Sequence, residues 1–304
     1  MRVFNALEEF STIPKGAAVA IGNFDGLHLG HQKILETLCA SAREKKLISL
    51  VLTFSPHPEK VLHKKPVLLV QTIEQRLEGL SKLGIQTVLV TSGKEFFSLP
   101  GRDFARDVLA GRLRARAVVV GDSFRFGRHR DSDTKDLESC GRLFGFAVLA
   151  VPPVHRKGAV VSSSLLRTLL AAGRVVEAGR MLGRPYEIEG IVVQGLSRGR
   201  TLGFPTINTR PLNEITPPGV FATSAAWDSR TFPAVTNIGL RPTFGPGKTS
   251  IETHILDFEE NTCGEKVRIQ FLKKLRDEKK FASPEELARQ IGRDVRRARA
   301  FFGR

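Results

Sequence analysis

The sequence predicts an α/β chain: a doubly wound parallel sheet followed by an antiparallel β-barrel domain that ends in a C-terminal helix. Three observations predict it. Apolar strand-length runs alternate with helix-period segments up to about residue 184. Beyond GRPYEIEG, strand-length runs follow one another across Gly/Pro turns. The chain then closes on an amphipathic segment with a helix-start signal. At 304 residues two domains are expected, since domains run ~100–200 residues. The boundary is placed so that residues 1–183 form one domain and 184–304 the other.

The first apolar run, AAVAIG (17–22), ends in glycine and reads as a strand. GHQKILETLCASAREK (30–45) sets Ile34, Leu38 and Ala42 at four-residue spacing against a polar face, the pattern of an amphipathic helix. ISLVLTF (48–54) is the next strand, so the three segments make a right-handed βαβ unit. The alternation continues with a helix near 72–83, TVLVT (87–91), a helix near 103–113, AVVVG (117–121), a helix near 134–143 and FAVLAV (146–151). Five parallel strands bring the loops at 22–31, 53–58, 121–133 and 152–164 to one rim. Such sheets bind ligands there, beyond the carboxyl ends of their strands.

Two short helices, about 163–171 and 174–182, lead into the second texture. EGIVVQG, GVFATSAAW, FPAVTNIG, SIETHILDF and EKVRIQFLKKL run without a helical period between about 187 and 275. In SPEELARQIGRDVRRARAFF, Ser283 is the expected N-cap, Pro284 the first helical residue and Glu286 the partner in a capping box. Leu287, Ile291, Val295, Ala298 and Phe302 form the stripe that packs on the barrel.

Hydrophobic residues make up 41% of the chain and charged ones 26%, enough for a core in each half. No apolar run approaches the ~18 residues of a membrane span, and MRVFNALEEF lacks a signal-peptide core. A cytoplasmic location with no membrane partner is expected. Cys39, Cys140 and Cys263 offer neither C-x-x-C spacing nor a disulfide framework, so buried or inert thiols are expected. The net charge of +16 attracts anions, either the backbone of a nucleic acid or small phosphorylated substrates. It is spread along the chain, with no basic arm.

Gly22-Asn23-Phe24-Asp25-Gly26-Leu27-His28-Leu29-Gly30-His31 joins a strand to a helix that begins at the second histidine. Free backbone N–H groups and the positive helix end face this loop, which suits an anion. Two imidazoles three residues apart can donate to a polyphosphate from one side. A metal pair would favour i,i+4 spacing and a third ligand; surface histidines at a turn are the plain reading. In Gly199-Arg200-Thr201-Leu202-Gly203-Phe204-Pro205-Thr206-Ile207-Asn208, Thr206 and Asn208 share one face of an extended segment and are hard oxygen donors suited to Mg²⁺. Along SIETHILDF, Ile251, Thr253, Ile255 and Asp257 point one way and Glu252, His254 and Leu256 the other. Glu252 is either a carboxylate aimed into a site or one facing solvent.

Gly22 to His31 resembles the signature of bacterial bifunctional riboflavin kinase/FAD synthetases, within the wider H-x-G-H nucleotidyltransferase superfamily. TFSPHP (53–58), Arg76, VVVGDSFRFG (118–127), VSSSLLR (161–167) and MLGRPY (181–186) resemble further segments of that family in register. So do GRTLGFPTIN, PPGVFA (217–222), NIGLRPTF, ETHILDF, CGEKVRIQF and LRDEKKF. Ser123 stands where the family usually has Asp or Asn, and DSD (131–133) replaces its glycine-containing loop. Ile207 and Phe221 are mild departures.

The resemblance implies two activities: phosphorylation of riboflavin to FMN, then adenylyl transfer from ATP to FMN giving FAD and pyrophosphate. It implies that His28 and His31 contact the ATP phosphates, with Gly22, Asn23, Phe24, Asp25, Gly26 and Gly30 forming the turn. Ser163, Ser164 and Arg167 would bind the triphosphate at a helix start. Phe54, Pro56, His57, Ser123 and Phe124 would face the flavin. In the kinase half Gly199 and Gly203 lie by the ATP, Thr206 and Asn208 hold Mg²⁺-ATP, and Glu252 is the general base. Arg276 and Phe281 would lie by its flavin. Riboflavin, FMN, FAD and ATP are the expected partners, with no nucleic acid, and the chain is expected to be a monomer or a weak homo-oligomer. Two other readings remain at this point: a kinase whose N-terminal half uses a different acceptor, and a basic nucleic-acid-binding protein.

Overall fold

A computed structural model describes the chain except residues 11–15, 63–65, 196–198, 200–201, 229, 241–248, 259, 261 and 304, and the side chains of 8, 10, 240 and 249. Arg200 and Thr201 of the glycine-rich segment, and residues 241–245 of NIGLRPTFG, fall outside the described residues. The chain divides into two compact units, one of residues 1–67 and 73–162, the other of 68–72 and 163–304.

The first unit is a six-stranded parallel sheet. Its strands are β1 (Arg2–Phe4), β2 (Ala17–Ile21), β3 (Ile48–Phe54), β4 (Thr87–Thr91), β5 (Ala115–Gly121) and β6 (Ala147–Val151), in the order β1-β4-β3-β2-β5-β6. The expected five strands gain β1, which pairs in parallel with β4 from Arg2–Thr87 to Phe4–Leu89. Three residues are too short to display a period, so only pairing reveals this strand. The winding reverses between β2 and β5, which sets the loops after β2, β3 and β5 side by side at the carboxyl edge.

Helix α1 (Leu29–Glu44) follows β2; the short α2 (Pro58–Leu62) and α3 (Ile73–Lys82) follow β3. Leu35, Leu38 and Ala42 of α1 and Leu80 of α3 pack on one sheet face with Ala18 and Ala20 of β2. On the other face, Val19 and Ile21 of β2 meet Phe104, Val108, Leu109 and Leu137. Alternation along β2 thus serves both layers, and every one of its five residues is buried.

The helix expected near 103–113 differs in form. After α4 (Lys94–Phe97), a single turn, α5 (Gly101–Asp103), continues as a π-helix over Phe104–Arg112. Phe104, Ala105, Val108 and Leu109 are its buried residues, a spacing that an α-helix would also place on one face. Helix α6 (Thr134–Phe144) begins with a full capping box between Asp133 and Asp136. The DSD segment therefore starts a helix. A two-residue hairpin, β7 (His155–Arg156) and β8 (Ala159–Val160), closes this unit.

The second unit opens with α7 (Ser163–Ala171) and α8 (Val175–Leu182). Strands β9 (Tyr186–Val193), β10 (Ile207–Pro211), β11 (Gly219–Trp227), β12 (Arg230–Leu240), β13 (Thr249–Ile255) and β14 (Lys266–Arg276) close into an antiparallel barrel, ordered β10-β13-β12-β11-β14-β9. Inside it, the fully buried hydroxyls of Thr223, Thr236 and Thr253 form a chain with 2.8 and 3.0 Å links.

Helix α9 (Pro284–Phe302) covers part of the outer face: Val295 and Ala298 lie on Val220, Ala222, Val235 and Leu256. Ser283 caps it as expected, accepting from the Glu286 amide. The carboxylate of Glu286 reaches one residue further back than expected, to the Ala282 amide at 3.0 Å. Asp257 also departs from expectation. The strand ends at Ile255, Asp257 turns at φ 55°, and its carboxylate pairs with Arg299 at 2.6 Å. The three cysteines are free thiols, Cys39 and Cys140 half-buried and Cys263 exposed.

Candidate active sites

The turn after β2 is built from strained backbone. Phe24, Gly26 and Leu27 have φ of 48°, 90° and 44°, a region that costs energy for non-glycine residues. Phe24 and Asp25 are 1% and 0% exposed. Their side chains hold the turn from inside, leaving backbone to meet a ligand. A Cβ on Gly22 would sit 3.3 Å from the Phe24 ring, and one on Gly30 would sit 3.1 Å from His28 Cε1.

The helix starts at Leu29, so the first histidine is its N-cap, two residues earlier than expected. His28 Nδ1 accepts from the His31 amide at 3.2 Å, which leaves the proton of the neutral ring on Nε2. The two imidazoles stack, with centroids 3.6 Å apart and planes inclined by 16°. Burial lowers the pKa of His28 to about 4. His31 is held well below its ordinary value, first by burial and then by the charges of His28 and Arg76. Two neutral N–H donors at the positive end of a helix can grip polyphosphate.

Around this turn, Thr53 Oγ1 donates to the Asn23 carbonyl at 3.1 Å, and the Asn23 amide lies 3.0 Å from His57 Nε2. His57 Nδ1 accepts from the Glu59 amide. Phe54 and exposed Pro56 lie on the neighbouring loop. Across the winding reversal, Phe124 stacks on Phe126 at 5.6 Å and Ser123 is exposed at the turn after β5. His28, His31, His57, Phe54, Ser123 and Phe124 thus all lie at or just beyond the carboxyl ends of strands β2, β3 and β5, at one sheet edge. Ser163 and Ser164 begin α7 in the second unit, where Arg167 Nε donates to the Leu68 carbonyl at 2.7 Å.

In the barrel, register assembles the second site. Asn208 of β10 pairs with Glu252 of β13, Glu252 with Asn237 of β12, Asn237 with Val220 of β11, and Val220 with Arg276 of β14. One row on the outer face therefore carries Asn208, Glu252, Asn237 and Arg276, four strand spacings or about 19 Å end to end. The Asn208 amide lies against Gly195, where a Cβ would overlap it at 1.9 Å, and Thr206 Oγ1 lies 3.1 Å from where a Gly199 Cβ would be. Gly203 turns at φ 79°. Gly195 and Gly199 let backbone lie directly on Asn208 and Thr206.

Glu252 Oε1 accepts from Ser250 at 3.2 Å. His254 Nδ1 donates to the Pro205 carbonyl at 2.8 Å and its ring meets Phe204 edge-on, which pins the residue before Thr206. Arg276 is held by the buried carboxylate of Asp294 at 2.9 Å and lies 5.7 Å from the Phe281 ring centroid. Asn237 and His254, which lie beside the candidate residues, were not among the residues singled out from the sequence. An asparagine within a strand carries no local signal, and only the strand pairing brings it opposite Glu252.

Among the described residues no cluster of three or more His, Cys, Asp or Glu could hold a metal. The oxygens of Thr206 and Asn208 still fit Mg²⁺, which binds through few protein ligands plus phosphates and water.

A parallel sheet with H-x-G-H at its first crossover, followed by a barrel with Thr206, Asn208 and Glu252 on its outer face, defines a two-part phosphate-handling transferase. A family model described as FAD synthetase matches residues 10–165, and one described as riboflavin kinase matches residues 182–302. A bifunctional riboflavin kinase/FMN adenylyltransferase of Escherichia coli (strain K12) is 35% identical over 309 residues, covering 100% of this chain and 98% of the relative. Its counterpart in Bacillus subtilis (strain 168) is 36% identical over 295 residues, covering 94% and 92%. The chain belongs to the family of bifunctional riboflavin kinase/FMN adenylyltransferases, with the FAD synthetase part N-terminal and the flavokinase part C-terminal.

A crystal structure described as a macrolide-efflux protein from Streptococcus pneumoniae has the same fold, with TM-score 0.89 and 28% identity over 98% of this chain and 99% of that one. No helix among the described residues is long and apolar enough to cross a membrane.

Proposed function

We propose that the C-terminal domain, residues 184–304, phosphorylates riboflavin to FMN, and that the N-terminal domain, residues 1–183, transfers AMP from ATP to FMN, giving FAD and pyrophosphate. The observation that carries this is the presence of two phosphate-handling constellations, one at the edge of the sheet and one on the barrel. Each falls within its own family match.

In adenylyl transfer, the FMN phosphate attacks the α-phosphorus of ATP in line, and pyrophosphate leaves. His28 and His31 donate to the phosphates, and the 22–30 backbone sets their position. The step needs orientation and charge stabilisation rather than a covalent nucleophile. Ser163, Ser164 and Arg167 offer a further anion-binding helix start. Phe54, Pro56, His57, Ser123 and Phe124 are the flavin-side residues.

In the kinase, Glu252 takes the proton of the riboflavin 5′-hydroxyl as that oxygen attacks the γ-phosphorus and ADP leaves. Asn237 stands opposite Glu252 on the adjacent strand, within reach of its carboxylate once substrate is bound. Thr206 and Asn208 would hold Mg²⁺-ATP; the ion, when bound, neutralises the β- and γ-phosphates. Gly199 and Gly203 admit the phosphates, and Arg276 and Phe281 border the flavin. The enzyme works in the cytoplasm as a monomer or weak homo-oligomer, without nucleic acid.

The test separates the two activities. His28→Ala or His31→Ala should abolish FAD formation and leave FMN formation within twofold. Glu252→Ala should abolish FMN formation yet still adenylylate supplied FMN. Loss of both activities from either folded variant would overturn the assignment. So would separation of products from wild-type protein, riboflavin, ATP and Mg²⁺ that showed neither flavin nucleotide.

A further inference from the structure

Arg76 is 2% exposed within the first unit, and a guanidinium is costly to bury unless it is held for a purpose. From α3 its NH1 group reaches two acceptors at the end of β3, Thr53 Oγ1 at 3.3 Å and the Phe54 carbonyl at 3.0 Å. The Thr53 hydroxyl in turn donates a hydrogen bond to the Asn23 carbonyl. A directed chain therefore runs from α3 through β3 into the turn that carries both histidines. It meets that turn one residue before Phe24, the first of the three positions with φ between 44° and 90°. Such backbone persists only where its surroundings hold it.

We propose that Arg76 is a positioning residue for adenylyl transfer, holding the His28–His31 turn in its phosphate-binding form through Thr53 and Asn23. The proposal deepens the adenylyltransferase reading of this unit and rests on it. Two further observations support it. Arg76 Nε and His31 Nδ1 are both fully covered and without a hydrogen-bond partner, so the guanidinium and the imidazole are buried in one region at a cost that packing alone does not offset. The charges also bear on one another: Asp25 supports the Arg76 guanidinium, while Arg76 and His28 both oppose protonation of His31.

The test compares Arg76→Met, Arg76→Lys, Thr53→Val and Thr53→Ser in the full chain, with FMN formation by the same protein as internal control. Adenylylation of FMN should fall about 100-fold in Arg76→Met, the scale of a roughly 1 Å misplacement, while FMN formation stays within twofold. Arg76→Lys should recover at least about tenfold of that loss, since an ammonium can keep one of the two contacts. Thr53→Val should lose about tenfold, and Thr53→Ser should match wild type, because only the hydroxyl link distinguishes them.

The acid limb of the adenylylation rate should move to higher pH in Arg76→Met and stay in place in Thr53→Val. Removing the positive charge lets His31 protonate more readily. Adenylylation within threefold of wild type in Arg76→Met, with its acid limb unmoved, would overturn the proposal. So would a silent Thr53→Val alongside a collapse of the unfolding midpoint in both Arg76 variants, which would mark Arg76 as packing alone. Failure of the wild-type chain to adenylylate FMN would count instead against the reading of the whole unit.

Discussion

His28 and His31 illustrate how little charge the proposed phosphate site keeps in the free protein. Stacked at 3.6 Å, two imidazoliums would repel, and burial holds both rings neutral. For His28 the folded pKa of about 4 lies below the ordinary 6.5. Between those values the unfolded chain binds more protons than the folded one, so stability rises with pH across that window and is lost as pH falls from 6.5 toward 4. The full difference corresponds to about 3 kcal/mol. Chemical unfolding followed from pH 7 to pH 4 should show this decline, and His28→Gln should flatten it. The same scale holds Asn237, opposite Glu252 in the barrel. Asn237→Ala should lower kcat for FMN formation about 10- to 100-fold with little change in adenylylation, measured by steady-state assays of the two products. His28, His31 and Glu252 were legible as candidates because their residue types suit phosphate contact or proton transfer; Asn237 and His254 lie in equally recognisable segments, but only strand pairing shows what they stand beside.

Elements show where local pattern suffices and where packing overrides it. Strands β2 to β6 and helices α1, α3 and α6 follow their periodicities to within two residues at nearly every end. The π-helix at 104–112 escaped notice because its residues suit an α-helix equally well, and only the sheet beneath selects the wider turn. DSD (131–133), a departure from the family pattern, proves to be the start of α6, with Asp133 as its cap. Helix α9 anchors the barrel by its apolar stripe and also by Asp294, 1% exposed and paired with Arg276. Removing one partner of a buried pair leaves a buried charge. Asp294→Ala should therefore cost about 3–5 kcal/mol in urea unfolding and raise KM for riboflavin by loosening Arg276. Ser283→Ala, which only removes the cap of α9, should cost about 1 kcal/mol.

For the whole molecule, the proposed assignment has the two constellations act on different phosphorus atoms of ATP, so they should be separable on different chains. A mixture of His28→Ala and Glu252→Ala proteins, given riboflavin, ATP and Mg²⁺, should form FAD, because each variant keeps the step the other lacks. Chromatography of the flavin products checks this. Added EDTA should stop FMN formation, and excess Mg²⁺ should restore it. The net charge of +16 accords with substrates that are all, apart from riboflavin, anionic.

By itself the sequence determined the two textures, the H-x-G-H turn and the Thr206–Asn208 segment. Each of these is written in residues close along the chain, where backbone geometry and hydrophobic period act directly. Tertiary structure alone decided which side chains meet across strands. Hydrogen-bond register aligned Asn208, Glu252, Asn237 and Arg276, and buried packing drew Arg76 to the base of the phosphate turn. Such partners lie tens of residues apart, and only the closing of the barrel and the stacking of helices on the sheet brings their polar groups within bonding distance.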